Sequence, residues 1–295
     1  MNSKKSTTSK KHNTVTSHRT HSTTSRKLQR KTTSKRKNVS KRWEVPLWLY
    51  YVLMGIVAVV FVAVFYYFFI RPYAYRWKPC YGLKGYGVCM PYGYNVHGLD
   101  ISHYQGDIDW NILVHTQQSQ FPIRFIFMKA TEGGDFADKR FIANFDSAKA
   151  NGFIRGAYHF YNPKTDALKQ AEFFINSVRL EKGDLPPVLD IEKKGKNMYK
   201  LRDDLKMWLT CVEEHYGVKP IIYASYKYKT RYLNDSVFNS YPYWIAHYYT
   251  DSVEYKGDWL FWQHHDAGML PGIDEQVDLN IFNGSLQQLD SLRIK

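Results

Sequence analysis

The sequence predicts an α/β protein in which an irregular TIM-like barrel, of about five β/α units and then three strands, follows a disordered basic tail and one transmembrane helix. Three observations predict this arrangement. From residue 97 onward, short apolar runs alternate with amphipathic stretches at a spacing of roughly 25 to 35 residues. The last three apolar runs are too close together for full helices between them. Upstream, a long uncharged segment follows a tail of Ser, Thr, Lys and Arg.

The tail, residues 1–45, holds 14 Lys and Arg residues, one acidic residue and almost no large apolar side chains. Such a segment cannot bury enough surface to offset the entropy lost on ordering, so it is predicted to be disordered. Its cations could contact anionic lipid head groups or nucleic acid, or simply set the topology of the following helix, and the last role is favoured. Because residues 71–295 carry 27 basic and 26 acidic residues, no nucleic-acid partner is expected.

Residues 46–70 are predicted to be a single transmembrane helix. The 24 residues Leu47–Ile70 carry no charge and would rise about 36 Å as an α-helix, which is enough to cross a membrane. The segment ends in bulky aromatic residues instead of the small residues of a signal-peptide cleavage site. Its cation-rich N-terminal flank predicts a cytoplasmic N-terminus and a C-terminal domain in the periplasm or outside the cell. A buried helix of a soluble protein is the alternative.

Residues 71–96 are predicted to form a linker outside the membrane. Cys80 and Cys89 bracket a Gly-rich turn and could form a disulfide in an oxidising compartment. Cys211 lies in an apolar stretch and is expected to be a buried thiol. Because no His or Cys partner lies at ligand spacing, neither a metal site nor a cofactor is expected.

The barrel is predicted to occupy residues 97–295. The predicted strands are His97–Ser102, Arg124–Thr131, Phe153–Tyr161, Pro187–Glu192, Pro220–Ser225, Tyr243–Tyr248, Trp259–Gln263 and Gln276–Ile281. The predicted helices are Asp107–Thr116, Asp138–Asn151, Thr165–Leu180, Met198–Tyr216 and Tyr226–Leu233. Gly152 and Gly217 are typical helix-ending residues and support two of these boundaries.

The most informative segment is the apolar run that carries Asp190 and Glu192. If the run is a strand, both side chains lie on one face, with Cα atoms roughly 6–7 Å apart. Their repulsion would raise the pKa of one acid and keep it protonated, and a protonated acid beside an ionised one is the arrangement that cleaves glycosidic bonds. Alone, such a pair is more often a strand-end feature bound by Lys193, Lys194 or a helix N-terminus.

Polar and aromatic residues also lie at the ends of the other predicted strands, where a barrel of this kind has its active site. They are Asp100, Glu132, His159, Tyr161, Tyr223, Trp244, Trp262, Gln263 and Asp278. Together they predict an acidic, aromatic-lined cleft suited to sugars. For single residues other roles stay open, since Glu132 could pair with Lys129 or Arg155, His159 could be a hydrogen-bond partner, and large aromatic residues are more often core.

Residues 97–289 resemble the lysozymes of glycoside hydrolase family 25, the N-acetylmuramidases. The matching motifs are Gly98–Gly106 (GLDISHYQG), Phe127–Gly133, Arg155–Phe160, Leu189–Glu192, Pro220–Tyr223, Tyr243–Ala246, Phe261–Gln263 and Val277–Ser285. The resemblance implies a barrel of five β/α units and three strands. It also implies hydrolysis of the β-1,4 bond between N-acetylmuramic acid and N-acetylglucosamine in peptidoglycan, the expected partner.

By the same resemblance, Glu192 is the general acid and Asp190 steers the substrate's N-acetyl group or acts as a stabilising carboxylate. Asp100 and Asp278 complete the acidic cluster. Substrate-assisted catalysis is the expected mechanism, and an inverting route with a second carboxylate as base stays open. Two other functions remain: a non-catalytic peptidoglycan-binding anchor, and a barrel hydrolase of another N-acetylated glycan such as chitin.

Overall fold

The computed structural model describes residues 43–71, 73–74, 79–255 and 257–295. The prediction of a disordered tail therefore falls almost entirely outside the described residues. The described chain begins with helix α1 (Leu47–Phe65), which continues as one π-helical turn, Tyr66–Ile70. These 24 residues are long and apolar enough to cross a membrane, and their side chains are exposed along the helix.

The expected linker contains a small antiparallel hairpin, formed by β1 (Lys84–Gly85) and β2 (Val88–Cys89). The sulfur atoms of Cys80 and Cys89 are bonded, and their Cα atoms are 5.4 Å apart. The sequence pattern indicated the two cysteines but not the strands, which are too short to show any periodicity.

The hairpin packs against the outer face of the barrel. Val88 and Met90 are buried in the same apolar cluster as the outward-facing residues of the barrel strands. The hydroxyl of Tyr86 donates to the carbonyl oxygen of Phe121 (2.7 Å), and the backbone N–H of Met269 donates to the carbonyl oxygen of Tyr86 (2.8 Å). A domain boundary at residue 97 would separate these residues from the core to which they belong.

Eight of the remaining nine strands form a closed barrel. The nine are β3 (His97–Ile101), β4 (Ile123–Glu132), β5 (Phe136–Ala137), β6 (Ile154–Phe160), β7 (Val188–Asp190), β8 (Ile221–Ser225), β9 (Tyr243–Ala246), β10 (Phe261–Gly268) and β11 (Val277–Phe282). β3, β4, β6, β7, β8, β9 and β10 are parallel neighbours in that order, and β11 closes the barrel antiparallel to both β10 and β3. β5 pairs only with the end of β4.

Five helices follow the first five barrel strands, as the sequence predicted. They are α2 (Trp110–Leu113), α3 (Phe141–Ala150), α4 (Ala167–Ser177), α5 (Met198–Tyr216) and α6 (Tyr226–Tyr232), and α7 (Leu286–Leu292) follows β11. Within the described ranges no helix separates the last three strands, so the prediction of five β/α units and three strands is confirmed. Side chains of Asp166 and Asn197 accept backbone N–H groups at the starts of α4 and α5, and Gly217 ends α5 at φ +69°.

Aromatic side chains fill the barrel interior below the cleft. The rings of Phe127 and Trp244 stack at 4.6 Å, and Phe261 packs edge-on against Phe127 at 5.1 Å. A Cβ atom on Gly98 or Gly156 would overlap the rings packed on them, so both positions need glycine. These packed aromatic rings close the centre of the barrel. Solvent therefore reaches the interior only as far as the cleft above them, at the end where the parallel strands finish.

Candidate active site

An open cleft of about 740 Å³, counted up to and including solvent at its mouth, lies at the end of the barrel where the parallel strands finish. Its lining residues include Asp100, Ser102, Tyr104, Gln105, Lys129, Tyr158, Phe160, Asp190, Glu192, Tyr223, Trp244, Tyr248, Gln263 and Asp278. Four of them are acids, and six are aromatic. The cleft therefore has the acidic, aromatic character that the sequence predicted.

The four acids reach the cleft from three strands. Asp190 is the last residue of β7 and is buried, whereas Glu192 follows two residues later and is exposed at the rim. Asp100 near the end of β3 lies in register with Asp278 on β11. The sequence reading treated Asp278 as the end of a parallel strand. In the structure it lies near the start of an antiparallel strand, which is why it still meets the other acids.

Asp100 is held by a chain of hydrogen bonds. Its Oδ1 accepts from Nε2 of Gln263 and from Nδ2 of Asn280, both at 2.7 Å. The indole N–H of Trp244 donates to Oδ1 of Asn280 (2.8 Å), and the hydroxyl of Tyr223 donates to Oε1 of Gln263 (2.6 Å). Each amide thus has its orientation fixed by a second donor. The predicted residues Tyr223, Trp244 and Gln263 do lie in the cleft, where they form its hydrogen-bonded floor.

Burial raises the pKa of all four acids. For Asp190 the charges of Glu192 and Asp100 add to the effect of burial, and its pKa lies well above the usual range. Burial and the charge of Asp100 raise the pKa of Asp278 to about 9. The pKa of Glu192 is also raised by burial, although the neighbouring Lys193 opposes the shift. The cluster therefore retains protons at neutral pH and can supply both a proton donor and an ionised carboxylate.

Asp190 also has an unused acceptor. Among the described residues, no hydrogen-bond partner reaches its buried Oδ1. A buried carboxylate oxygen without a donor is unfavourable, and such groups are common where a substrate supplies the missing partner. This oxygen is available for an N–H or O–H group of a ligand in the cleft.

The raised pKa values predict that the contribution of the four acids to the stability of the folded barrel falls as pH rises. Below about pH 4 the acids are protonated in both the folded and the unfolded chain, so they carry no penalty. Above that pH the unfolded chain loses protons that the folded one retains, and stability falls until pH passes the folded pKa, which for Asp278 is about 9. Buried histidines such as His97, whose pKa burial lowers to about 4, act in the opposite direction below about pH 6.5, so the variant is compared with the wild type. We expect calorimetry to show that the Tm of Asp278→Asn, relative to that of the wild type, rises between about pH 5 and about pH 9. A difference in Tm that does not change with pH would contradict this account.

His159, on the outer face of β6, and Tyr161, the residue after the strand, do not line the cleft. The His159 ring is buried and stacks on Trp208 with centroids 5.5 Å apart, and its Nδ1 lies 2.8 Å from Oγ1 of Thr131. Tyr161 is buried in the same apolar layer between strands and helices. The predicted contact of these two residues with substrate is corrected accordingly. Their neighbour Tyr158 alternates to the inner face and lines the cleft.

The prediction that Trp262 lies in the cleft is wrong for the same reason. It is fully buried on the outer face of β10, where its indole N–H donates to the carbonyl oxygen of His247 (2.8 Å). Its neighbours Phe261 and Gln263 face the barrel interior. Ending a strand was not sufficient to place a side chain in the cleft, because successive side chains alternate between faces.

Replacing Trp262 with Phe tests this placement. We expect the variant to lose about 2 kcal/mol of unfolding free energy, because the smaller ring leaves a cavity and the His247 carbonyl loses its donor. The KM for substrate should stay unchanged, because the ring does not reach the cleft. A raised KM with unaltered stability would show instead that Trp262 contacts the substrate.

Glu132 lies beside the cleft but outside the acid cluster. Its Oε2 accepts from the ammonium of Lys129 at 2.6 Å, which is one of the two alternatives that the sequence left open. It lines a neighbouring pocket together with His103, Asp135 and Phe136. A direct substrate contact by Glu132 therefore requires a ligand that extends from the cleft into this second pocket.

Several residues that line the cleft are not among the predicted site residues, although all but Tyr104 lie near predicted strand ends. They are Tyr104, Lys129, Tyr158, Phe160 and Tyr248. The alternation of β6 is the pattern that predicts Tyr158 and Phe160, because both share a face with Gly156. Gly156 must face the barrel interior, since a Cβ atom there would overlap the ring of Phe127. Tyr248 is fixed in the cleft by donating to Oε1 of Gln263 (2.7 Å).

Comparison with known proteins agrees with this geometry. Residues 99–273 match the family model of glycosyl hydrolases family 25. The chain is 39% identical to YegX of Escherichia coli over 74% of its own length and 79% of YegX, and 33% identical to Lysozyme M1 of Streptomyces globisporus over 67% and 71%. It superposes on a family 25 glycosyl hydrolase from Bacillus anthracis with a TM-score of 0.62 and 32% identity, covering 68% of this chain and 95% of that one. The chain therefore belongs to glycosyl hydrolases family 25.

Proposed function

We propose that the barrel cleaves the β-1,4 bond between N-acetylmuramic acid and N-acetylglucosamine in peptidoglycan. The observation that carries the proposal is the cleft in which Asp190 and Glu192 meet Asp100 and Asp278 over an aromatic floor. Similarity to Lysozyme M1 supports the same substrate. A glycosidase needs a protonated acid at the rim and an ionised group beneath it, and the four acids offer both.

In the proposed mechanism Glu192 donates its proton to the bridging oxygen as the glycosidic bond breaks. The 2-acetamido oxygen of the muramic residue attacks the anomeric carbon, and Asp190 accepts the amide N–H on its free Oδ1. The Glu192 carboxylate then takes a proton from water, whose oxygen opens the cyclic intermediate and retains the anomeric configuration. Asp100, whose carboxylate accepts from Gln263 and Asn280, supplies negative potential beside the developing positive charge, whereas Asp278, with a pKa of about 9, stays protonated near neutral pH.

Two measurements test the reaction. Loss of turbidity in a cell-wall suspension distinguishes catalysis from the alternative of a non-catalytic anchor, which would bind walls without clearing them. Mass spectrometry of the released fragments then identifies the new reducing end. Muramic acid at that end supports the proposal, whereas N-acetylglucosamine there, or equal activity on chitin oligomers, would contradict the bond assignment.

The stereochemical outcome tests the mechanism separately. We expect proton NMR of the first-formed product to show the retained anomer. Initial release of the inverted anomer would contradict substrate assistance and would indicate direct attack of water, with a second carboxylate as base.

We also infer that the protein is a single-pass membrane protein with its N-terminus in the cytoplasm and the barrel in the periplasm or outside the cell. The uncharged span Leu47–Ile70 and the 14 cations that precede it support this topology. The Cys80–Cys89 bond is consistent with an oxidising compartment. Protease digestion of the barrel in spheroplasts is the expected result, and digestion already in intact cells would place the barrel outside the cell. Protection in both would contradict the topology.

A further inference from the structure

One rim of the acidic cleft carries exposed cations. Lys193 directly follows Glu192, and its ammonium lies 4.6 Å from the centroid of the Phe160 ring, which lines the cleft. The ammonium of Lys194 lies 4.6 Å from the centroid of the Tyr232 ring. A ring face holds an ammonium in place through cation–π attraction, so these two charges are partly pre-positioned.

Arg231, in the last turn of α6, is a second cation beside the Tyr232 ring. Hydrogen bonds from Lys194 and Arg231 to the Tyr232 hydroxyl lower the pKa of that group, as expected beside two positive charges. Over the parts of the chain that the structure describes, neither Lys193 nor Lys194 forms a salt bridge with an acidic side chain. We name Lys193 and Lys194 the basic rim.

The basic rim and the acid cluster make opposite demands on a ligand. The acid cluster disfavours a further carboxylate inside the cleft, where burial already raises the pKa of its own acids, whereas the basic rim attracts carboxylates that stay outside it. Peptidoglycan has this charge pattern, because its sugars are uncharged in the chain while its short peptide stems carry free carboxylates. When a glycan strand binds with its sugars over Asp190, its peptide stems must extend over the edge of the cleft.

We infer that the basic rim binds the carboxylates of these peptide stems, so that the enzyme prefers glycan strands whose stems are negatively charged. This inference rests on the proposed function. The rim contributes to recognition by attraction at the edge, and the acids contribute by repulsion at the centre, which together fix where the charged part of the substrate lies. Charge interactions at an exposed rim are modest individually and weaken with salt.

The test compares two substrates that differ only in charge. Soluble glycan fragments with intact stems are used as isolated and after their stem carboxylates have been converted to amides, with full-length protein in detergent. We expect kcat/KM at low ionic strength to favour the charged fragments by about five- to tenfold, mainly through KM, and the preference to fade at high salt. The double variant Lys193→Gln, Lys194→Gln should bring the ratio of the two kcat/KM values close to one.

A matched control is Lys182→Gln, which removes an exposed cation from the loop before β7, at the opposite end of the barrel. It should retain the wild-type preference, and an unchanged Tm in all variants shows that the fold is intact. An equal rate on charged and amidated fragments in the wild type, or a preference that survives in the double variant, would overturn the inference. Failure to cleave either fragment or whole walls would instead overturn the proposed function.

Discussion

Replacement of Glu192 by Gln is expected to lower kcat by about 10³-fold, within the range of 10² to 10⁴ for loss of a general acid. Gln has nearly the same shape, but it cannot donate a proton to the leaving oxygen and then recover one from water. Partial desolvation of the carboxyl group at the rim raises the pKa of Glu192, so the substitution also removes a charge that is mildly unfavourable there, and Tm should stay the same or rise. The measurement is the initial rate of muropeptide release, paired with calorimetry.

The matched control is Glu214→Gln on the exposed side of α5, which should retain wild-type activity. A Glu192→Gln variant that keeps more than about a tenth of the wild-type rate would exclude this residue as the general acid. A simultaneous fall in Tm would point to misfolding as the cause of a lost rate, and the Tm measurement separates the two.

Replacement of Asp190 by Asn is expected to lower kcat by about 10²- to 10³-fold, the usual effect of removing one electrostatic stabiliser. The Asn side chain can still accept a hydrogen bond from the substrate amide, but it carries no negative charge to stabilise the positive charge that develops on the sugar ring. The pKa of Asp190 is raised by burial and by neighbouring carboxylates, so its ionisation opposes folding near neutral pH. The variant should therefore have a higher Tm at pH 7 than the wild type, together with its low rate.

Asp274→Asn is a suitable control, because Asp274 is exposed on the loop between β10 and β11, outside the cleft. It should change neither the rate nor Tm. If Asp190→Asn were as active as the wild type, the proposed steering of the acetamido group would be wrong. If it were both inactive and less stable, Asp190 would be a structural residue instead.

The barrel could be predicted because each strand carries its own apolar signal. α5, for example, was predicted at Met198–Tyr216 and begins and ends there, since Asn197 caps its start and Gly217 ends it. The hairpin at 84–89 could not be predicted, because two-residue strands have no period. The direction of β11 could not be read either, since a strand has the same alternation in both directions.

The site was predicted well for the acids and less well for the aromatic residues. Asp100, Asp190, Glu192 and Asp278 line one cleft. His159, Tyr161 and Trp262 were misplaced because strand ends were read without alternation. Even with alternation, the irregular pairing of β4 between Lys129 and Thr131 and of β10 between Gln263 and His265 shifts later residues to another face. Such bulges leave no clear mark in a sequence.

The antiparallel course of β11 has a practical consequence for labelling the enzyme. Because β11 starts beside the acids and runs antiparallel to its neighbours, it ends at the end of the barrel opposite the cleft. There α7 ends and the backbone of Ile294 bonds with Gly183 and Asp184, ahead of β7. A fluorescent protein fused after Lys295 would emerge on that side, opposite the cleft, and would leave the approach of a long polymer to the four acids unobstructed.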